Sequence, residues 1–160
     1  GQLYVRGAHV MRGYWNNPDA TADRIDSDGW LRTGDIVEWD DERGQLRVLG
    51  RADDVMVLDT AVKIHPASIE RQVQQIRDVK RALLVCRDSL ELWYEAEQGG
   101  SAPVIETAIR NELDSHHALA GCAIHRFPRP LSEREGELTA KGTIRRQRVI
   151  ENRFSNQAGS

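Results

Sequence analysis

The sequence has few of the residues that tie a protein to a membrane, to nucleic acid or to an oxidising compartment. No apolar run approaches the roughly 18 residues that a membrane-spanning helix needs, so no transmembrane segment is predicted. Only two cysteines occur, far apart and without a CxxC spacing, which predicts buried, reduced thiols at Cys86 and Cys122. The net charge of −3 gives no general attraction to nucleic acid. These features predict a cytoplasmic protein with no nucleic-acid partner.

The residues that are present are patterned for a folded chain. Hydrophobic residues make up 39% and charged residues 29% of the sequence, a balance that favours a globular fold over disorder. Up to about residue 50, alternating runs and turn signals predict strands, including a hairpin around the turn at residues 40–44. Farther along, strands alternate with helical patterns. Helices are predicted to begin at Pro66, Pro103 and Thr143. The predicted fold class is α+β, with a small β-rich N-terminal piece and a compact C-terminal domain whose helices lie on a short sheet.

A first polar string, residues 29–35 (GWLRTGD), allows two interpretations. Gly34 and Asp35 occur often in turns, so the string could serve turn geometry alone. Alternatively, Asp35 projects its carboxylate from a rigid turn. A carboxylate accepts two hydrogen bonds at once, which suits the two hydroxyls of a ribose.

A second polar string, residues 50–54 (GRADD), lies where the strand-rich pattern ends. It could be a charged turn between domains. Alternatively, Arg51 reaches the same nucleotide as Asp35, and Asp53 is the pivot between two lobes, since hinges absorb their backbone rotation in a few residues at the ends of elements.

A third polar string, residues 138–146 (LTAKGTIRR), contains Lys141 beside a glycine. The simpler interpretation is a solvated lysine before a basic helix. The functional interpretation is a mobile point charge that reaches a phosphate oxygen without a fixed orientation.

In this order, and together with residues 7–21 (GAHVMRGYWNNPDAT), the three strings closely resemble the adenylate-forming superfamily. That superfamily includes acyl- and aryl-CoA synthetases, firefly luciferase and peptide-synthetase adenylation domains. The resemblance runs from Gln2 to about Arg153, and residues 135–139 (EGELT) look most like the long-chain fatty acyl and feruloyl-type branches. Because the sequence opens directly on a strand pattern without a starting methionine, it is expected to be the C-terminal portion of such an enzyme.

The resemblance implies a domain organisation and an activity. Residues 1–50 would be the C-terminal end of the large domain, residues 51–154 the mobile lid, and residues 155–160 a tail. The whole enzyme would be an AMP-forming ligase that activates a carboxylate, a fatty or aryl acid, as an acyl-adenylate and transfers it to coenzyme A. ATP, Mg²⁺ and coenzyme A are implied, but the phosphate loop and the Mg²⁺ site would lie outside this chain, so the isolated chain is expected to be inactive. The implied partners are the nucleotide, the carboxylic acid, coenzyme A or an acyl-carrier protein, and the missing N-terminal domain.

The resemblance also implies residue roles. Lys141 would be the catalytic lysine that bridges the carboxylate and the α-phosphate during adenylation. Asp35 would bind the ribose of the nucleotide with help from Arg51, and Asp53 would be the hinge residue. No metal-ligand set is expected.

One departure from the family pattern favours an alternative. The family has a glycine-rich turn after the hinge, which lines the tunnel for the pantetheine arm, but here the corresponding residues 59–63 read DTAVK. Thr60, Ala61 and Val62 are expected to crowd that tunnel and to resist positive φ. The alternative is therefore a non-catalytic or adenylation-only lid module that binds a carrier protein or another partner.

Two further expectations concern side chains outside these strings. The arginines near the C-terminus are expected to form a solvated basic face rather than a nucleic-acid site, and the tryptophans are expected to pack in the core. The arginines are Arg145, Arg146, Arg148 and Arg153, and the tryptophans are Trp15, Trp30, Trp39 and Trp93.

Overall fold

The computed structural model describes residues 1–58 and 60–155. The chain divides into two compact units, Gly1–Ser68 and Ile69–Ser160. The domain boundary predicted at residue 50 follows the hinge position of the family that the sequence resembles, and it stays a prediction. The predicted tail lies outside the described residues, except for Ser155.

The first unit contains an antiparallel three-stranded sheet in the order β1-β2-β3. A short 3₁₀ turn and a minimal two-stranded ladder follow it. The elements are β1 (Gln2–Val5), α1 (Pro18–Arg24), β2 (Leu31–Asp40), β3 (Gln45–Arg51), the 3₁₀ turn Ala52–Asp54, β4 (Met56–Val57) and β5 (Lys63–Ile64).

Local sequence explains how this unit forms. Helix α1 begins at Pro18 because Asn17 caps it, accepting a hydrogen bond from the Ala20 amide at 3.0 Å. The turn between β2 and β3 is closed by Asp40, whose carboxylate accepts the Arg43 amide at 3.0 Å. The hairpin predicted around residues 40–44 is confirmed.

The second unit contains a three-stranded sheet in the order β6-β7-β8, with helices packed around it. Strands β6 and β7 form an antiparallel hairpin, whereas β7 and β8 run parallel and need a crossover, which α3 supplies. The elements are α2 (Pro66–Val73), which spans the division between the units, β6 (Val79–Cys86), β7 (Leu90–Ala96), α3 (Ala102–Asp114), the 3₁₀ turn His117–Leu119, β8 (Ala123–Arg126) and α4 (Arg146–Phe154).

The core of the second unit is centred on β6, which is buried on both faces from Ala82 to Val85. One hydrophobic cluster joins this strand to the following loop and to α4. Its buried members are Leu83, Val85, Phe127, Leu131, Leu138, Val149 and Phe154. Leu138 comes from the segment that leads to Lys141, so this segment and α4 share one core. The α+β class is confirmed.

The last helix begins later than the sequence predicts. Helix α4 starts at Arg146 rather than at Thr143. Thr143 and Ile144 instead pair back across a turn, with Ile144 bridged to Leu138. The prediction treated these residues as helical, but their hydrogen bonds are used in the turn.

The prediction that the cysteines and tryptophans are buried is wrong for some of these side chains. Cys122 is buried as expected, but Cys86 is exposed at the end of β6. Trp93 packs against His125 and Phe154, as expected for a core residue. Trp15, by contrast, is 98% exposed and Trp39 is 56% exposed. Indole size alone therefore does not predict core packing in this chain.

Candidate functional site

The first candidate site is an arginine–carboxylate pair on adjacent strands. Asp35 on β2 is the direct Cα partner of Arg51 on β3. Arg51 Nη1 donates to Asp35 Oδ1 at 3.0 Å and to the Thr33 carbonyl at 2.8 Å. The Asp35 side chain is 31% exposed and that of Arg51 is 45% exposed. The two residues that the sequence assigned to one nucleotide thus lie together and remain accessible.

Gly34 makes this arrangement possible. Its φ of +81° is favourable for glycine and strained for other residues. A Cβ added there would lie 2.7 Å from Arg51 Nη2 and 3.2 Å from Arg24 Nη1. The Asp35 amide also donates to Thr33 Oγ1 at 3.1 Å, which fixes the backbone around the glycine. The Thr-Gly-Asp sequence therefore gives Arg51 room to lie against the strand.

The predicted hinge residue follows directly. Arg51 is the N-cap of the 3₁₀ turn Ala52–Asp54, and Val55 closes that turn through a backbone bond to Ala52 at 3.3 Å. Asp53 is exposed within this turn. Its role as a hinge stays a prediction.

The second candidate site, in the second unit, is the loop that carries Lys141. The Thr139 amide donates to the Thr143 carbonyl at 2.9 Å, and the Gly142 amide donates to the Thr139 carbonyl at 2.8 Å. Gly142 has a φ of +77°, which lets the chain reverse. Lys141 is exposed at the tip of this reversal. Among residues 1–58 and 60–155, no acidic side chain forms an ion pair with it.

The base of this loop holds a buried ion pair that sequence reasoning missed. Glu137 is fully buried, and Arg153 from α4 donates to both of its oxygens, at 2.6 and 2.8 Å. The Ser132 amide donates to the same carboxylate at 2.9 Å. Hydrogen bonds from Arg153 are the main reason that the pKa of Glu137 lies below its ordinary value, and the same pair raises the pKa of Arg153. No sequence motif indicates this pair, because tertiary packing brings together two residues that are 16 positions apart.

This pair corrects the expectation of a solvated basic face. Arg153 has only 8% of its side chain exposed, and Arg146 has 15%. Arg146 donates to the Leu84 carbonyl at 2.5 Å and to Glu70 at 2.6 Å. Arg148 does match the expectation, since it forms an exposed pair with Glu151. The buried arginines join α4 to the rest of the second unit.

The segment after the predicted hinge residue has an unusual backbone at Ala61. The Ala61 amide donates to the Leu58 carbonyl at 2.8 Å, and the Leu58 amide donates to the Val62 carbonyl at 3.0 Å. Ala61 has a φ of +59°, so the expectation that it resists positive φ is wrong. Asp59, which begins the string DTAVK, lies outside the described residues.

The described residues do not suit a bound divalent cation. No group of three or more His, Cys, Asp or Glu side chains within residues 1–58 and 60–155 could hold a metal ion. Over the same residues, no helix is long and apolar enough to cross a bilayer.

Comparison with solved structures defines the class of fold. The adenylation domain of a carboxylate reductase from Mycobacterium chelonae superposes on 95% of this chain with a TM-score of 0.75. The identity is 20%, and this chain covers 26% of that domain. At that identity the likeness shows the fold alone, so this chain shares the fold of the part of that adenylation domain on which it superposes.

Sequence relatives narrow the assignment. No protein-family model matches the chain. It is 45% identical to a long-chain-fatty-acid–CoA ligase of Salmonella typhimurium over 85 residues, which are 53% of this chain and 15% of that protein. It is 29% identical to YngI of Bacillus subtilis, named as an acyl-CoA synthetase, over 94% of this chain and 27% of that protein. The resemblance to the adenylate-forming family is confirmed, and the chain matches a C-terminal portion of such enzymes. It spans only 15% and 27% of these two relatives, and the feruloyl-type branch stays a prediction.

Proposed function

We propose that this chain belongs to a longer ATP-dependent acid–thiol ligase, in which residues 1–50 end the large domain and residues 51–154 form the mobile lid. The ligase activates a carboxylate as an acyl-adenylate and transfers the acyl group to coenzyme A. The identity to a long-chain-fatty-acid–CoA ligase over 85 residues supports a fatty acid as the substrate class. An aryl acid is the second substrate class within the proposal.

The observation that carries the proposal is the state of Lys141. This lysine is exposed at the tip of a hydrogen-bonded reversal and has no ion-pair partner among the described residues. During adenylation a carboxylate oxygen bonds to the α-phosphorus, while the bond between the α-phosphorus and the bridging oxygen breaks and pyrophosphate leaves. A lysine between the carboxylate and the α-phosphate offsets the negative charge that both bring to the reacting centre.

The Asp35–Arg51 pair is proposed to bind the nucleotide. Asp35 would accept hydrogen bonds from the two ribose hydroxyls, a task that needs an ionised and accessible carboxylate. Arg51 supports this role because it holds Asp35 Oδ1 at 3.0 Å and is itself fixed by the Thr33 carbonyl. The pair is thus oriented before the ligand arrives.

Asp53 is proposed to be the pivot between the two half-reactions. Lys141 is needed only for adenylation, so a lysine on a moving lobe can leave the reacting centre once the acyl-adenylate has formed. The thiol sulfur then bonds to the acyl carbon, and the bond between this carbon and the oxygen that links it to the phosphate breaks. AMP leaves with that oxygen, and the thiol proton passes to solvent. The exposure of Asp53 within the 3₁₀ turn Ala52–Asp54 supports this position for the pivot.

Exposed apolar side chains after the proposed pivot favour the alternative of an adenylation-only or partner-binding lid. Val57 and Val62 are 61% and 42% exposed. A carrier protein is the partner that the alternative implies. A ligase whose lid makes thioester from supplied acyl-adenylate would contradict this alternative.

A cytoplasmic location is part of the proposal. Both cysteines are free thiols, and Cys86 is exposed. Such a thiol is typical of a reducing compartment.

ATP–pyrophosphate exchange by the full-length protein that contains this chain tests the proposal. Lys141→Ala should reduce exchange by about 100-fold or more, since it removes the charge that stabilises the transition state. Thioester formation from supplied acyl-adenylate should persist. Arg134→Ala, which removes an exposed positive charge from the same loop region, is the control and should leave both rates unchanged. Equal loss of both half-reactions in Lys141→Ala would contradict the role of Lys141, and exchange by the 160-residue chain alone would contradict its expected inactivity.

A further inference from the structure

The Lys141 loop is closed at its base by one residue. The Arg145 amide donates to the Glu137 carbonyl at 2.8 Å, so Glu137 joins the segment that enters the loop to the segment that leaves it. Ile144 and Leu138 form a further bridge just inside this contact. Any displacement of Glu137 therefore moves both arms of the loop.

The side chain of Glu137 is fixed to the last turn of α4. Arg153 reaches both of its carboxylate oxygens, and Arg153 Nη2 also donates to the Pro130 carbonyl at 3.1 Å. The Ser132 amide completes the set. One guanidinium thus joins three segments, and no part of the Glu137 side chain is open to water.

The other arm of the loop reaches the same helix through the backbone. Arg145 is the N-cap of α4, and its carbonyl accepts the Val149 amide at 3.1 Å. The loop is therefore attached to α4 at both of its ends, to the first turn through Arg145 and to the last turn through the Glu137–Arg153 pair. The lysine itself makes no ion pair that would fix its position in the described chain.

We propose that Arg153, acting through Glu137, is a positioning residue that sets where Lys141 lies. The inference rests on the proposed role of Lys141 in adenylation. Because its side chain is only 8% exposed and is held by Glu137, Arg153 acts through that carboxylate rather than on a substrate. Its effect is to hold the loop base in one geometry, and misplacement of a catalytic group by about 1 Å costs about 100-fold in rate.

The test uses the full-length protein with both partners of the pair replaced, as Glu137→Leu with Arg153→Met. This double variant leaves no unpaired buried charge, and buried ion pairs are often replaced by apolar residues without loss of stability. The proposal expects a decrease in kcat for ATP–pyrophosphate exchange of about 10- to 100-fold. The KM for ATP and the rate of thioester formation from supplied acyl-adenylate should stay unchanged. Hydrogen exchange of the amides at residues 139–143 should become faster.

The control is Arg148→Met, which removes an exposed arginine from the same helix and should change none of these quantities. Wild-type adenylation in a folded double variant would overturn the inference. If the double variant does not fold, Arg153→Lys decides, because it keeps the charge but loses the two-pronged contact. A several-fold lower kcat in Arg153→Lys supports the inference, and a wild-type kcat overturns it.

Lys141→Ala in parallel separates the two claims. If Lys141→Ala abolishes adenylation while loss of the buried pair does not affect it, only the positioning inference fails. If Lys141→Ala itself leaves adenylation intact, the proposed function fails.

Discussion

Each unit contains several arginine–carboxylate pairs, and two of these pairs, Arg51–Asp35 and Arg153–Glu137, differ mainly in their access to water. Arg51 Nη1 lies 3.0 Å from Asp35 Oδ1, and 45% of the Arg51 side chain and 31% of the Asp35 side chain are exposed. Arg153 Nε lies 2.6 Å from Glu137 Oε1, and 8% of the Arg153 side chain and 0% of the Glu137 side chain are exposed. The chemical groups are alike, and both pairs join residues distant in sequence.

This difference in burial separates a binding role from a structural one. An exposed pair contributes at most about 1 kcal/mol to stability, because water and salt screen it, so a ligand can replace its contacts at little cost. A buried pair cannot exchange partners with water, and removal of one member leaves a charge unpaired in the interior. We therefore assign ligand binding to Asp35 and Arg51, and we assign a structural role to Glu137 and Arg153. The following changes test that division.

The largest expected effect comes from breaking the buried pair on one side. Glu137→Leu leaves Arg153 charged, nearly buried and without its main partner. We expect the free energy of unfolding of the second unit to fall by about 3–5 kcal/mol. Urea denaturation monitored by Trp93 fluorescence measures this, since Trp93 packs against the core cluster. Arg148→Met is the matched control for an exposed pair, and a loss below about 1 kcal/mol in Glu137→Leu would contradict the structural assignment.

The same pair predicts an acid-dependent loss of stability. Hydrogen bonds from Arg153 hold the pKa of Glu137 below its ordinary value of 4.5. A carboxylate with a lowered folded-state pKa stabilises the fold at pH values above its unfolded pKa, and this contribution is lost as the pH falls through the folded-state pKa. The urea midpoint of the second unit should therefore fall below about pH 4.5. The variant with Glu137→Leu and Arg153→Met should show a smaller fall of the urea midpoint. An equal fall in this variant and in the wild-type protein would show that the pair is not the cause.

Much of the fold follows from local patterns in the sequence. The turn residues around Asp40 predict the β2–β3 hairpin, and Pro66 predicts the start of α2, since Pro favours the first helical turn. The start of α4 is not predictable in this way. The stretch from Thr143 is basic and helix-like, yet the backbone bonds of Thr139 with Thr143 take it into a turn. A pairing across the loop overrides local helix propensity there.

The two candidate sites differ in how far the sequence predicts them. Sequence motifs predict Asp35, Arg51 and Lys141 as site residues, and the structure brings Asp35 and Arg51 together on paired strands. The Glu137–Arg153 pair has no motif. The two residues are 16 positions apart, and only the packing of α4 against the loop base brings them into contact. A charged residue that pairs through tertiary packing carries no periodic signal, which explains why the sequence favoured a solvated Arg153.

A change of intermediate size tests the support for the exposed pair. Gly34→Ala places a Cβ 2.7 Å from Arg51 Nη2 at a φ of +81°. We expect the first unit to lose about 1–2 kcal/mol of stability from backbone strain. Gly44→Ala is the control for backbone strain without a side-chain contact. Gly44 has a φ of +62°, and no atom lies within 4 Å of the added Cβ. Thermal denaturation of both variants should give similar losses, but only Gly34→Ala should also weaken ATP binding, because it displaces the Arg51 guanidinium. Equal ATP binding by the two variants would contradict the role of Gly34.

Replacement of Asp35 should have the smallest effect on stability and a clear effect on nucleotide binding. Asp35→Asn keeps the shape of the side chain and removes the charge of an exposed pair, so the free energy of unfolding should change by less than about 1 kcal/mol. In the full-length protein, the KM for ATP should rise by about 10-fold or more, because an amide is a weaker acceptor for the ribose hydroxyls than a carboxylate. Glu38→Gln is the control, since Glu38 also pairs across β2 and β3, with Arg47 at 2.6 Å, and the two side chains are 52% and 58% exposed. Both variants should have nearly the same stability, and only Asp35→Asn should raise the KM. A loss of stability confined to Asp35→Asn, with an unchanged KM, would make Asp35 a structural residue like Glu137 and remove the distinction between the two pairs.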